Sequence, residues 1–239
     1  MAETQSWDYG RHYPPQLWHL MEKSQAGGSR QSPIEIDSSK TTAGAPRFPT
    51  EDYHPVPIEK FHFTHQHLEI SVPEAAGRIK VGNDSFQLKN LHLHTPAEHV
   101  LDGSKLPMEI HIVHSNECGT ENVVVGMWVA EGPKNQALDS LIAVLNNRVD
   151  HEPEREKMWM LEALKTHSFT PASLFPADKT YYYYEGSLTT PPCSENVRFF
   201  LFKTPITASA GQIVEFRRYA PQGNDRPLQP LNCRTVWCG

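Results

Sequence analysis

Two stretches decide how this chain is read: Phe86-Gln-Leu-Lys-Asn-Leu-His-Leu-His94 and, after a turn-rich segment from Pro96 to Pro107, Met108-Glu-Ile-His-Ile-Val-His114. In an extended strand, residues i and i+2 share a face and lie roughly 6.6 Å apart. Leu91 and Leu93 therefore face one way, while His92 and His94 face the other and converge on one point. The second strand returns beside the first and supplies His111 as a third imidazole. Three neutral imidazoles with one open coordination position make a catalytic rather than a structural zinc arrangement. The open position is inferred from the lack of an obvious fourth ligand, such as a cysteine, on either strand. A lone strand histidine is ordinarily a surface or hydrogen-bonded core residue; two histidine-bearing strands joined by a hairpin are what point to a metal.

The residues two positions earlier on each strand share the histidines' face. Glu109 precedes His111, and its carboxylate is placed to accept the second N–H of a ligand histidine on the neighbouring strand. Asn90 stands in the same relation to His92 and offers an amide oxygen. Acceptors of this kind fix the imidazole tautomer and raise ligand basicity. Away from histidines, both would read as polar residues facing solvent.

Outward from these strands, apolar stretches rich in β-branched and aromatic residues recur at Leu68–Val72, Val123–Val129, Tyr181–Tyr184 and Val197–Phe202, each bounded by turn residues. Helical spacing is confined to Ala137–Leu145, Lys157–Leu164 and, after a Ser209 cap, Gln212–Arg218. The helices are short and few, and strands and helices do not alternate strictly. The expectation is a mainly β chain built on one large, twisted, mixed but mostly antiparallel sheet. Twenty prolines and fourteen glycines are spread along the 239 residues rather than gathered in a linker. Residues 1–239 therefore read as one domain.

Charge and composition exclude several classes. With 22 basic and 28 acidic residues the formal charge is −6, so broad attraction to nucleic acid or anionic lipid is not expected. No apolar run approaches membrane-spanning length; the clusters are short, as at Asn122–Val129. Met1 to Gln5 carries no basic-then-apolar leader, so the reading is a cytoplasmic protein, or a periplasmic or secreted one whose leader was removed. The four cysteines, Cys118, Cys193, Cys233 and Cys238, form no Cys-x-x-Cys pair, which argues against a thiolate zinc site. Thirteen histidines, many of them between His54 and His114, are the compositional hint of a metal.

At this point the sequence resembles the α-class carbonic anhydrases along nearly its whole length. The resemblance rests on Trp7-Asp-Tyr-Gly10, Trp18, Gln31-Ser-Pro-Ile34, Asn90 to His94, Ala97-Glu-His99, Glu109-Ile-His111, Tyr184-Glu-Gly-Ser-Leu-Thr-Thr-Pro-Pro192 and Asn224-Asp-Arg-Pro-Leu-Gln-Pro230, in family order and near family spacing. It implies one Zn2+ per chain on His92, His94 and His111, with Asn90 and Glu109 behind them and the Asn224 carbonyl as partner of His94. It further implies reversible hydration of carbon dioxide to bicarbonate and a proton by zinc-bound hydroxide (carbonate dehydratase, EC 4.2.1.1), sensitivity to sulfonamides, and weak ester hydrolysis as a side activity. In the family, zinc lowers the pKa of its water to about 7, a value that belongs to carbonic anhydrase itself.

By the same resemblance Thr189, bonded to Glu98, orients the hydroxide, Thr190 sits at the pocket mouth, and Val113, Val124, Leu188 and Val197 form the apolar wall for carbon dioxide. A histidine at the cavity rim is the expected proton relay. His67 matches the shuttle position, although strand alternation about Leu68, Ile70 and Val72 would shift the match by one residue; His65 and His62 are the other candidates.

Three departures stand out. Phe199 replaces a usual tryptophan, Ala97 a serine, and Leu106 a ring. Cys193 stands where secreted members carry half of a disulfide, but no cysteine lies near Ser24–Gly27 to complete it. Two other classes share these features: an acatalytic relative using the fold as a binding module, which would have lost a zinc histidine, and a metal-storage protein, which would hold zinc without turnover. The oligomeric state, monomer or homodimer, is left open.

Overall fold

The computed structural model describes residues 7–10, 13–57, 62–64, 68–146 and 168–239. Its centre is a twelve-stranded mixed sheet. In chain order the strands are β1 (Thr42–Ala43), β2 (Thr50–Tyr53), β3 (His62–Thr64), β4 (Glu69–Ser71), β5 (Gly77–Val81), β6 (Asp84–His94), β7 (Met108–Ser115), β8 (Asn122–Glu131), β9 (Tyr181–Ser187), β10 (Glu195–Phe202), β11 (Ile206–Ala208) and β12 (Trp237–Cys238). Across the sheet the order is β1-β12-β9-β10-β8-β7-β6-β4-β3; β11 adds to β8, and β5 joins β6 to β2. Most pairs are antiparallel, with parallel pairing of β8 to β10, β8 to β11 and β12 to β1. All six expected strands are present, as are helices α1 (Gln136–Asn146) and α2 (Ala210–Tyr219). Ser209 caps α2 through a full capping box with Gln212. The helix expected at Lys157–Leu164 lies outside the described residues. Among the described residues, no helix is long and apolar enough to cross a membrane.

Strand β7 is buried on both faces, and its period-2 alternation sorts its side chains between two cores. Ile110 and Ile112 join Leu91, Leu93, Val123, Val125, Phe200, Phe202 and the helices in the larger core. Val113 joins Val124, Val197, Phe199 and Leu201 in the smaller one on the opposite face. His92, His94, Glu109 and His111 share the phase of Val113, so the site lies on the smaller core's side. In register, His111 sits opposite His92 on one side and Gly126 on the other. A Cβ at Gly126 would come within 2.2 Å of Leu201 Cδ2, so a side chain there would force the buried Leu201 to shift beside His111.

On the large-core face, His114 is buried and its tautomer is fixed. Nδ1 lies 3.1 Å from the Val123 carbonyl, which only accepts, so Nδ1 carries the proton and Nε2 accepts from the Tyr53 hydroxyl at 2.8 Å. Burial lowers the His114 pKa from 6.5 to about 4. Between these values the unfolded chain binds the proton and the folded chain does not, so stability is full above pH 6.5 and falls as pH drops towards 4. The effect reaches about 3 kcal/mol. Urea unfolding of wild type and His114→Gln from pH 7.5 to 4.5 is expected to show a shallower pH dependence in the variant, by about one proton; parallel curves would assign the acid loss elsewhere.

Candidate active site

His92 and His94 come from the end of β6 and His111 from the middle of β7, and candidate ligand atoms of all three lie within 4.8 Å of one another. Each imidazole is held through its other nitrogen. His92 Nδ1 donates to Asn90 Oδ1 at 3.0 Å, His94 Nδ1 to the Asn224 carbonyl at 2.8 Å, and His111 Nε2 to Glu109 Oε1 at 2.6 Å. With the protons on those nitrogens, His92 Nε2, His94 Nε2 and His111 Nδ1 are the unprotonated ones and present lone pairs. Two of them, His92 Nε2 and His111 Nδ1, face each other at 3.2 Å. Lone pairs that close repel unless a cation lies between them, and tetrahedral zinc with ligands at about 2.0–2.1 Å separates its nitrogens by about 3.3 Å. His94 Nε2 is buried without a hydrogen-bond partner, and burial followed by the neighbouring His111 lowers its pKa to about 3, which keeps it neutral. The donor set and the orphaned nitrogen both fit zinc.

Glu109 acts differently from the expectation. Its carboxylate serves His111 on its own strand rather than a ligand on the neighbouring one, because a glutamate at i−2 reaches along the same face to the imidazole. It also holds a residue to which the sequence assigned no role: His99 donates from Nδ1 to Glu109 Oε1 at 2.6 Å and from its backbone N–H to Oε2 at 2.8 Å. His99 Nε2 accepts from the Tyr184 hydroxyl at 2.6 Å, and Ser32 Oγ lies 2.7 Å from that hydroxyl. Burial pushes the Glu109 carboxyl up, but His99, His111 and their hydrogen bonds outweigh it and hold the group well below the usual carboxylate range. His99, Glu109 and His111 also lie close enough together to suggest a second metal cluster. Both nitrogens of His99 are already engaged, so the group is a hydrogen-bonded brace. Phe199 closes it, stacking on Tyr184 with ring centroids 5.0 Å apart.

Glu98 lies fully buried beside His94 and His111. Oε1 accepts the Arg226 backbone N–H at 2.9 Å, while Oε2 has no hydrogen-bond partner and lies 3.3 Å from His94 Nε2. Burial lifts the carboxyl well above its usual range, opposed by the Arg226 N–H and the Thr189 hydroxyl. Val113, Val124 and Val197 are buried in the smaller core, with Leu188 packed on it and half-buried Thr190 next along the chain. His62 lies on β3, whereas His65 and His67 are outside the described residues. The strand expected from Leu68 begins at Glu69, since Leu68 has φ +51°, a left-handed turn conformation that interrupts alternation towards His67. None of the four cysteines forms a disulfide.

Fold and site together define a three-histidine site able to hold a metal ion, with imidazoles on adjacent antiparallel strands at the foot of an apolar wall. A family model for eukaryotic-type carbonic anhydrase matches residues 13–239, and the chain belongs to that α-class carbonic anhydrase family, enzymes of carbon dioxide hydration. A carbonic anhydrase of Klebsiella pneumoniae is 33% identical over 235 residues, covering 96% of this chain and 89% of its own length. The α-carbonic anhydrase of Thermovibrio ammonificans, solved with the inhibitor sulfanilamide, superposes with a TM-score of 0.83 at 30% identity, covering 97% of this chain and 98% of its own. Dioscorin, solved with ascorbate, has the same fold at 22% identity and a TM-score of 0.80, covering 98% of each chain.

Proposed function

We propose that this chain reversibly hydrates carbon dioxide with one zinc ion held by His92, His94 and His111, and that sulfanilamide inhibits it as it does the Thermovibrio enzyme. The observation that carries the reading is the set of three imidazoles whose outer nitrogens are all committed to Asn90, Asn224 and Glu109, leaving three converging lone pairs. When bound, zinc supplies a Lewis acid that brings the pKa of water to about 7, the value for carbonic anhydrase itself, and draws the adjacent Glu98 towards its carboxylate form. As a carboxylate, Glu98 only accepts, so the Thr189 O–H must donate to it. The Thr189 oxygen then has only lone pairs to offer, accepts from the attacking hydroxyl, and turns that oxygen's free lone pair towards carbon. Val113, Val124, Leu188 and Val197 exclude water from the face where carbon dioxide, which has no strong hydrogen-bonding handle, must rest. Thr190 borders the entrance. Activated esters present an acyl carbon to the same nucleophile, which accounts for a weak side activity. Zinc content and hydration rate measured on one preparation test the reading, the rate following the zinc.

Each hydration releases a proton, and His67 is the proposed relay. A relay acts only on proton export, so His67→Ala is expected to lower kcat while leaving kcat/KM nearly unchanged, with imidazole buffer restoring part of the loss. If His65→Ala shows this pattern instead, the relay is His65; if neither does, the proton leaves by another route.

A further inference from the structure

Two backbone groups from one short segment reach the site. The Asn224 carbonyl accepts from His94 Nδ1 at 2.8 Å, and the Arg226 N–H donates to Glu98 Oε1 at 2.9 Å. The segment is tied down at both ends. The Asn224 side chain grips the end of β6, accepting from the Thr95 N–H and donating to the Leu93 carbonyl, each at 2.8 Å. At the other end the Arg226 guanidinium, 2% exposed, donates from Nη1 to Gln31 Oε1 at 2.9 Å and to the Ser32 carbonyl at 2.8 Å, and lies 5.8 Å from the Trp18 ring. Among the described residues it forms no ion pair within 4 Å. A buried cation satisfied by neutral acceptors costs solvation, and an apolar side chain would fill the space more cheaply.

Gln31 carries the connection further. It is 2% exposed, and its Oε1, which accepts from Arg226, also accepts from Ser187 Oγ at 3.3 Å; its Nε2 donates to the Cys193 carbonyl at 3.2 Å. Ser187 and Cys193 bracket the turn that carries Thr189, which is closed by the Leu188 N–H to the Ser194 carbonyl and the Cys193 N–H to the Thr190 carbonyl. One guanidinium–amide contact thus joins the segment that orients Glu98 to the turn that presents Thr189.

We propose that Arg226 and Gln31 form a positioning clamp that sets Glu98 and Thr189 in register with each other and with His94; this rests on the function proposed above. The clamp touches no substrate. At saturating zinc, Arg226→Met and Gln31→Met are each expected to lower hydration kcat/KM by about tenfold or more while keeping one zinc per chain. Arg226→Lys should recover part of the rate, since both short bonds leave from the one nitrogen Nη1, whose place an ammonium can take, while the Nη2 bond to the Ala26 carbonyl at 3.4 Å is lost. Combined with Thr189→Ala, Arg226→Met should cost less than the product of the two single losses, because both disturb one unit. Faster solvent exchange of the His94 Nδ1 proton, read by NMR in Arg226→Met, should accompany the loss. The clamp is overturned if both methionine variants stay within twofold of the parent kcat/KM per zinc, whether or not they melt earlier, or if the Arg226→Met and Thr189→Ala losses multiply. Should the parent neither bind zinc nor hydrate carbon dioxide, the functional reading falls first, and unchanged His94 proton exchange in the variants would overturn the clamp separately.

Discussion

His94→Ala is expected to remove bound zinc and carbon dioxide hydration together, with the rate falling by more than about 10³-fold, beyond the 10–100-fold typical of losing a partner behind a metal ligand. The His94 imidazole is tightly held: it is fully buried, donates to the Asn224 carbonyl at 2.8 Å, and has an Nε2 with no hydrogen-bond partner. Alanine there deletes one of three donors and leaves the Asn224 carbonyl without its N–H. Retention of full zinc and full rate would remove His94 from the ligand set. His99→Phe provides the contrast, because both His99 nitrogens serve the Glu109–Tyr184 brace, and that variant should keep its zinc.

Thr189→Ala and Glu98→Ala are each expected to slow hydration by about 10²-fold with zinc still bound, the usual cost of removing one preorganised group facing a reacting oxygen. Neither residue is in the ligand set. Because Glu98 acts by fixing the direction of the Thr189 hydroxyl, removing either disorders the same oxygen. The double variant should therefore lose far less than the product of the single losses. Multiplicative losses in stopped-flow hydration would mean that the two act independently.

The metal site was legible where it depends on local chain geometry. His92 and His94 at i and i+2, and His111 on the returning strand, follow from period-2 alternation, and Asn90 acts on His92 as its spacing implies. Glu109 was legible as an acceptor but not in its choice of donors. One donor, His99, arrives on a loop whose path depends on tertiary packing, and a long glutamate side chain reaches His111 on its own strand as readily as a neighbour. The brace through Tyr184 and Ser32 joins residues 85 and 152 positions apart in sequence, and no local pattern encodes such pairings. Thr189 and Glu98 were visible only through family resemblance, since by themselves they read as a turn residue and a surface carboxylate. Strands β1, β2, β3, β5, β11 and β12, of two to five residues each, carry too short a pattern to read, whereas the longer apolar strands of the sheet were legible. The start of β4 was not, because the left-handed turn at Leu68 leaves no mark in an otherwise alternating pattern.

Stripping the protein of metal with a chelator, then titrating zinc back while following hydration by stopped flow and bound metal on the same samples, tests the central claim most directly. The account predicts no hydration above background without metal, a rate that rises in proportion to bound zinc, and a break at one zinc per chain. A chain that hydrates carbon dioxide at full rate without zinc, or that binds one equivalent and remains inactive, would contradict it.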